Sequence, residues 1–558
     1  EFQSSGASVK TNAVFRDPSA WYHIVCAIDT TQGTQSNRGK LYVNGVQQEL
    51  SSNNFSQDVE TSVNNNSLQV LGTRWASDSA NMLYDGYLAE IHLIDGSALT
   101  PSSFAETDDL TGEYKPKKYI GSYGTNGFYL NFSDNSGTSS TTLGKDSSGN
   151  GNNWTPNNFS VSAGAGNDSL EDTPTKNFPT INPLAGHSTN FVSTSNGNLD
   201  FSLANNHWAI SSFKIPDSGK WYAECVFTDV QSGDFGVFNP NMINDDSNGF
   251  DGRWNGIRLL NGGSIAVDNS TVQSSLTAIT NNDIVGVKID RDAGTIAFTI
   301  NGSANGSAVN ISSFTDSSVL TVVNRRNSSS GSNPIGSQNY GQRSFSHLPA
   351  GYKALCSANL PDPTIAFPNK HFGTLLWTGN ATVRTISDTS AVDFTPDMVW
   401  VKCRSASHDH QLTDSVRGTS KALPVNTNGQ EVDWDTAYSG ANKGMGDYVN
   451  GGFGLDDNGN NARYNANSQT YVAWNWKGGG SASSNTDGSI TSSVSANTSA
   501  GFSVLTYTGT GSQTTVGHGL GVKPKVIITK LRDTNTQDWF FYPKQLTGTG
   551  GTYIKFNE

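Results

Sequence analysis

The sequence predicts an all-β protein, a series of β-sandwich or jelly-roll domains joined by Gly/Ser/Asn-rich linkers. Three observations carry that expectation. Helix formers are sparse, and no long segment places apolar residues at i, i+3, i+4 and i+7. Aromatic residues make up 10% of the chain and sit in short alternating runs bounded by Gly, Asn, Asp and Ser. One β stretch also occurs twice. Leu375, Trp377, Thr378 and Gly379 align with Leu505, Tyr507, Thr508 and Gly509. Farther on, Pro396 and Pro524 are each followed by a lysine (Lys402, Lys530) and an arginine (Arg404, Arg532) at the same spacing. Both prolines open runs of strand formers, Met398 to Val401 and Val526 to Thr529, and proline is tolerated where a strand begins. A self-similar pair of β units is a modular array.

The remaining composition narrows the function classes. A chain of 558 residues has room for about three to five domains. The net charge of −13 argues against a general nucleic-acid binder, which needs basic stripes, and suits a mutually repelling surface. No apolar run approaches bilayer-spanning length, so no membrane insertion is expected. Cys26, Cys225, Cys356 and Cys403 are far apart, each in an apolar strand-like run. They read as buried free thiols, with spacings that support neither a disulfide framework nor a metal site.

Residues 1–118 contain the alternating run Trp21 to Asp29, then Leu41-Tyr42-Val43-Asn44-Gly45 and Asp85-Gly86-Tyr87-Leu88-Ala89-Glu90-Ile91. Asn44-Gly45 is a hairpin signal by itself, because a type I′ turn needs positive φ at both central positions. These phrases resemble the laminin-G/concanavalin A-like jelly roll, of which only the C-terminal part of the strand set is present. The resemblance implies a glycan- or protein-binding module that often holds Ca²⁺, although its metal positions do not map onto this half. His23 and His92 lie within strands and read as structural histidines.

Residues 119–190 form a connector, with Tyr123 to Leu130 followed by Leu143 to Thr155. It resembles connectors in tail-fibre-like proteins of marine bacteriophages. Its loop Asp146 to Asn152 is rich enough in oxygen to leave Ca²⁺ open as a cofactor. Without EF-hand spacing or a terminal glutamate, however, it reads as an Asx/Gly turn, and no cofactor is expected.

Residues 191–367 read as a second sandwich. Gly219-Lys220-Trp221-Tyr222-Ala223-Glu224 is followed by Asp283 to Asp290 and Gly294 to Gly302, a hairpin turning at Arg291 to Gly294. The pattern resembles the SPRY (B30.2) β-sandwich, which implies a binding module without catalytic residues that engages partners through variable loops. The loop Asn244 to Trp254 supplies acceptors, a cation and an aromatic face, so Asp251, Arg253 and Trp254 are the candidate binding residues. The bland reading is a solvated loop whose Trp254 begins the next strand.

Residues 368–480 form the first copy of the repeated unit, 481–500 a linker, and 501–558 the start of a second copy. Nothing in the second copy matches Tyr471 to Lys477, so the chain is expected to end inside a domain. Similar units recur in structural proteins of marine phages. Two motifs imitate chemistry. Glu431-Val432-Asp433-Trp434-Asp435 is similar to the acidic strand of laminarinase-type glycosidases, but Thr436 stands where a third acid is needed. His408-Asp409-His410 lacks a third metal ligand. The runs at Met398 and Val526 read as buried strands. Trp539 to Tyr542 has too many consecutive aromatics for one sandwich face, so part of it is expected to meet another domain or subunit.

Together these readings lead to an expected non-enzymatic structural protein of a phage virion appendage, a tail fibre or capsid-surface fibre exposed on the virion. Its expected partners are other virion proteins, further copies of itself (a trimer by analogy), and a host-surface glycan or receptor. A bacterial adhesin is the first alternative, and a glycan-degrading enzyme with binding modules is the second.

Overall fold

The computed structural model describes residues 2–4, 6–66, 68–73, 84–185, 192–204, 207–240, 256–268, 270–314, 319–326, 331–437, 442–457, 461–543 and 554–555. It is nearly all β. The α-helical content of the described residues is the single turn Trp434–Ala437. No helix among them is long and apolar enough to cross a membrane. The chain divides into two compact units, Glu1–Glu106 with Tyr114–Pro361, and Thr107–Glu113 with Asp362–Glu558.

In the first unit, Ile24–Ile28 pairs antiparallel with Gly39–Val43, which turns back onto Val46–Gln47. Asn44 and Gly45 both have positive φ, 47° and 81°, as the predicted hairpin requires. A second small sheet joins Phe2–Ser4, Ala7–Thr11 and Leu50–Asn53, and Val9, Leu41 and Phe55 form the core. His92 stacks on Tyr129 at 4.3 Å, and its Nδ1 lies 3.0 Å from the Tyr123 hydroxyl. Burial lowers its pKa to about 4, as suits a packed neutral ring.

The Asp146 loop is an Asx turn. Its carboxylate accepts the peptide N–H groups of Tyr129, Ser148 and Asn152 and the Ser148 hydroxyl, all at 2.8–2.9 Å. Both oxygens face donors, which is the wrong polarity for a cation. Farther along, the buried Asp172 accepts the Trp21 indole N–H at 3.0 Å. Burial raises its pKa to about 7, against the pull of that bond and of the Phe178 N–H. A folded pKa above the unfolded one gives stability that is intact below about pH 4 and lost as pH rises through about 7. Asp172→Asn keeps an acceptor without the charge. It is expected to stabilise this unit by ~3 kcal/mol at pH 8 and by nothing near pH 4, as measured by thermal melts across that range.

The second sandwich packs two sheets around one large core. The first sheet runs in the order Ser193–Ser195, Asp200–Ser202, Ile335–Asn339, Lys220–Asp229, Ile284–Asp290, Thr295–Ile300, Ser303–Ala304. The second runs Trp208–Ile210, Thr321–Arg326, Gly233–Phe238, Gly256–Leu260, Ser264–Val267, Ser270–Gln273. The period-2 alternation sends Trp221, Ala223, Cys225 and Phe227 into this core, with Val285, Val287 and Ile289 from the neighbouring strand. Tyr222 and Glu224 point the other way yet are also buried, because residues 345–347 cover them. Glu224 accepts the N–H groups of Ser346 (3.0 Å) and His347 (2.8 Å). Gly286 lies opposite Glu224, and a Cβ there would overlap the hydroxyls of Tyr222 and Thr299. That crowding is a physical reason for the glycine in the Asp283–Asp290 phrase.

In the second unit, the first copy forms a sheet in the order Phe372–Thr378, Thr470–Trp476, Met398–Cys403, Gln411–Asp414, Gly418–Pro424, Val432–Asp433. A three-stranded sheet of Arg384–Ser387, Gly452–Asp457 and Asn442–Val449 completes it. Leu375, Trp377, Val399, Val401, Cys403, Tyr471, Phe453 and Leu455 share the core. In the Met398 run the alternate residues Val399, Val401 and Cys403 are buried, while Met398 and Trp400 are half-buried. Residues 481–500 are not a plain linker: Ser483–Asn485 and Ser492–Asn497 are strands, and the latter pairs along its length with Phe502–Tyr507. Val526–Thr529 also departs from the expectation of a buried strand, since Val526, Ile527 and Ile528 are each about half exposed. Within the sheets of the described residues it pairs only with Phe540–Pro543, whereas its first-copy counterpart has a strand on either side. Trp539 meets another module as anticipated. It is buried with Leu423 and Val425 of the first copy and donates its indole N–H to the Pro424 carbonyl at 2.8 Å.

Candidate functional site

The outer face of the six-stranded sheet in the second sandwich gathers aromatic and charged side chains. Antiparallel register sets Trp208 opposite Arg325 and Arg325 opposite Asp234, so three adjacent strands contribute one row. The Arg325 guanidinium lies 5.5 Å from the Trp208 ring centroid, and Trp208 meets Phe238 edge-on at 5.1 Å. Arg258, one strand farther, places Nε 3.3 Å from a carboxylate oxygen of Asp234, which is 1% exposed. Burial lowers the pKa of Arg325 to about 10, and the nearby Arg258 charge adds to the effect while Asp234 opposes it. Guanidinium on indole beside a fixed carboxylate suits ligands with hydroxyl or carboxylate oxygens.

Asp251, Arg253 and Trp254, the residues picked from sequence, lie outside the described residues. The strands that carry their loop are described: Phe238 pairs with Gly256, so the loop leaves and re-enters at the edge of the Trp208–Arg325–Asp234 row. Sequence reading missed that row because its members are spread over more than one hundred positions. The available local signal was an arginine pair, Arg325-Arg326, closing a strand run that holds Val322 and Val323.

The acidic motif at residue 431 proves to be an ion-pair clamp. Glu431 accepts Arg417 at 3.0 Å and both Nε and Nη2 of Arg532, at 2.9 and 2.7 Å. Asp433 accepts the Ser420 hydroxyl at 2.9 Å. The carboxylates are engaged in structural bonds and are not presented across a cleft. At the His408 motif, Asp409 pairs with Arg463 at 3.2 Å and His410 packs against Trp400. Among the described residues, no three His, Cys, Asp or Glu side chains gather as a metal site.

A family model described as a domain of unknown function, DUF7483, matches residues 367–558. No curated protein matches the chain. Similar solved structures include the SPRY domain of human HERC1, at 16% identity over 26% of this chain and 91% of that one, with a TM-score of 0.22. Another is the PSpry domain of TRIM65, at 13% identity over 29% of this chain and 89% of that one, with a TM-score of 0.23.

Proposed function

We propose that this chain is a non-enzymatic structural protein of a phage virion appendage, a tail fibre or capsid-surface fibre, that adsorbs to host-surface glycan or protein. In this reading the laminin-G-like and SPRY-like sandwiches present loops outward, and the C-terminal repeated units extend or attach the fibre. The observation that carries it is the Trp208–Arg325–Asp234 row at the root of the loop holding Asp251, Arg253 and Trp254. Such a row offers sugar hydroxyls and carboxylates a stacking face and a fixed donor. Each contact is weak, and copies arrayed on an oligomer, a trimer by fibre analogy, raise adsorption through avidity.

The test has two arms. Mass spectrometry of purified particles, with gold-labelled antibody against residues 191–367, is expected to place the chain on an appendage. Recovery only from cell envelopes, without capsid proteins, overturns the virion reading in favour of an adhesin. In the second arm, Arg325→Ala is expected to weaken host-cell binding by the oligomer at least tenfold, with melting unchanged within about 1 kcal/mol. Undiminished binding removes the row from the site.

A further inference from the structure

Within the first unit, Asp172 lies where the N-terminal sheets, the connector and the second sandwich meet. Trp21, which precedes the strand Ile24–Ile28, donates its indole N–H to the Asp172 carboxylate across 151 residues of chain. Beside it, Tyr87 donates its hydroxyl to the Gly197 carbonyl of the second sandwich at 3.0 Å, and the Trp21 and Tyr87 rings lie 6.3 Å apart. Gly197 has a φ of 62°, and a Cβ there would overlap the Tyr87 ring, so the ring is seated directly on the backbone. The segment that carries Asp172 is itself tied to the sandwich. The Glu171 N–H donates to the Gln342 carbonyl and the Asn177 N–H to Ser357 Oγ, both at 2.9 Å. Trp21 and Tyr87 are thus two side chains of the N-terminal region held by groups that the sandwich anchors.

The donors to Asp172 are neutral. The residue is 6% exposed, and besides Trp21 it takes the Phe178 N–H. The charged groups around it are engaged elsewhere. Lys176 pairs with Glu171 on the same segment. Arg343 donates to Ser337 Oγ at 3.1 Å and lies among Asp200, Asp168 and Tyr87. Burial keeps the Tyr87 phenol and the nearby Cys356 thiol protonated. An ionised Asp172 in the closed junction is therefore a buried charge with no cation paired to it, which is costly unless the group takes a proton or reaches water. The rise of its pKa to about 7 by burial agrees with that geometry.

We propose that Asp172 is a pH-operated latch between the N-terminal sheets and the second sandwich, closed while its carboxyl is protonated and released when it ionises, with Trp21 and Tyr87 leaving their seats together. Opening lets water hydrate the carboxylate, and one proton passes to solvent. The closed form holds that proton more tightly than the open form. Closure is therefore favoured in full below about pH 4 and lost as pH rises through about 7. Release leaves both cores whole, because neither the large sandwich core nor the Val9, Leu41 and Phe55 cluster includes Trp21, Tyr87 or Asp172. The latch is independent of the appendage reading, and its failure leaves that reading untouched.

The test uses the full chain with 5-fluorotryptophan in place of tryptophan. The fluorine signal of Trp21 is the one missing from Trp21→Phe, and that of the core residue Trp221 is assigned in the same way. A neutral nitroxide in solution broadens each signal according to its exposure. Broadening at Trp21 is expected to rise at least about threefold from pH 4 to pH 8, while that at Trp221 stays constant. Asp172→Asn keeps the acceptor without the charge, and it is expected to hold the low value at both pH values. Equal broadening of the unsubstituted chain at the two pH values overturns the proposal, and so does the same rise in Asp172→Asn. A rise shared by Trp221 also overturns it, because the sandwich is then unfolding and no latch is being released.

Discussion

Glu224→Ala is expected to destabilise the second sandwich by about 4 kcal/mol. The side chain is buried between its own strand and residues 345–347, where it accepts two peptide N–H groups and the Tyr222 hydroxyl, the last at 3.2 Å. Alanine leaves those donors without an acceptor in a place water does not easily reach, at about 1–3 kcal/mol for each unsatisfied group. Glu224→Gln tests the mechanism more sharply. It preserves the volume but presents an N–H₂ group to a donor, so it is expected to recover less than half of the loss. Urea unfolding followed by tryptophan fluorescence measures both variants, and amide exchange at Ser346 and His347 localises the effect. A loss under about 1 kcal/mol for alanine would show that the covering segment holds by packing alone.

Glu431→Ala is expected to cost about 3–5 kcal/mol and to loosen the sheet of the second copy from the first. Arg417 is 3% exposed at its side chain and binds Asp414 at 2.5 Å as well as Glu431. Removing Glu431 therefore leaves a buried guanidinium short of one counter-charge and releases Arg532. The Arg532 side chain is 35% exposed, so its share of the loss is discounted for solvent screening. The contacts that the substitution keeps between Val526–Pro543 and the first copy include the peptide N–H of residue 431 to the Arg532 carbonyl at 3.0 Å, the Trp539 contact and the Lys530 bond to the Asn428 carbonyl. Limited proteolysis within residues 509–531 is expected to accelerate in proportion.

The same clamp has a pH signature. Burial opposes the charge of Glu431, but hydrogen bonds from Arg532 and Arg417 outweigh it and hold the carboxyl below its ordinary range. A depressed folded pKa gives stability that is present above about pH 4.5 and lost as pH falls through the folded value. Glu431→Gln is expected to flatten that acid limb. An unchanged acid limb would assign it to other carboxylates.

Much of this was legible in the chain. Period-2 runs identified the strands Lys220–Asp229, Ile284–Asp290 and Thr295–Ile300, and turn chemistry identified the Asn44-Gly45 hairpin. The repeat was visible because corresponding strands keep the same residue types at the same spacing. Alternation and turns are local properties, set within a few residues by backbone sterics, so sequence alone determines them.

Other features depend on what each strand meets. Val399 and Ile527 occupy equivalent places in equivalent runs, yet one is buried and the other half exposed; among the described residues the strand of Val399 is paired on both sides and that of Ile527 on one. The acidic run at Glu431 imitates a catalytic strand in sequence, and its structural role comes from Arg532, 101 residues away. Glu224 takes its role from a segment 122 residues later. Sequence determined the β class, the hairpins and the repeat. Tertiary structure decided which carboxylates are bound, which apolar strands are covered, and where Trp208, Arg325 and Asp234 meet. The physical reason is that charge pairing and burial are set by distance in space, and in a sheet register brings together residues that the chain keeps far apart.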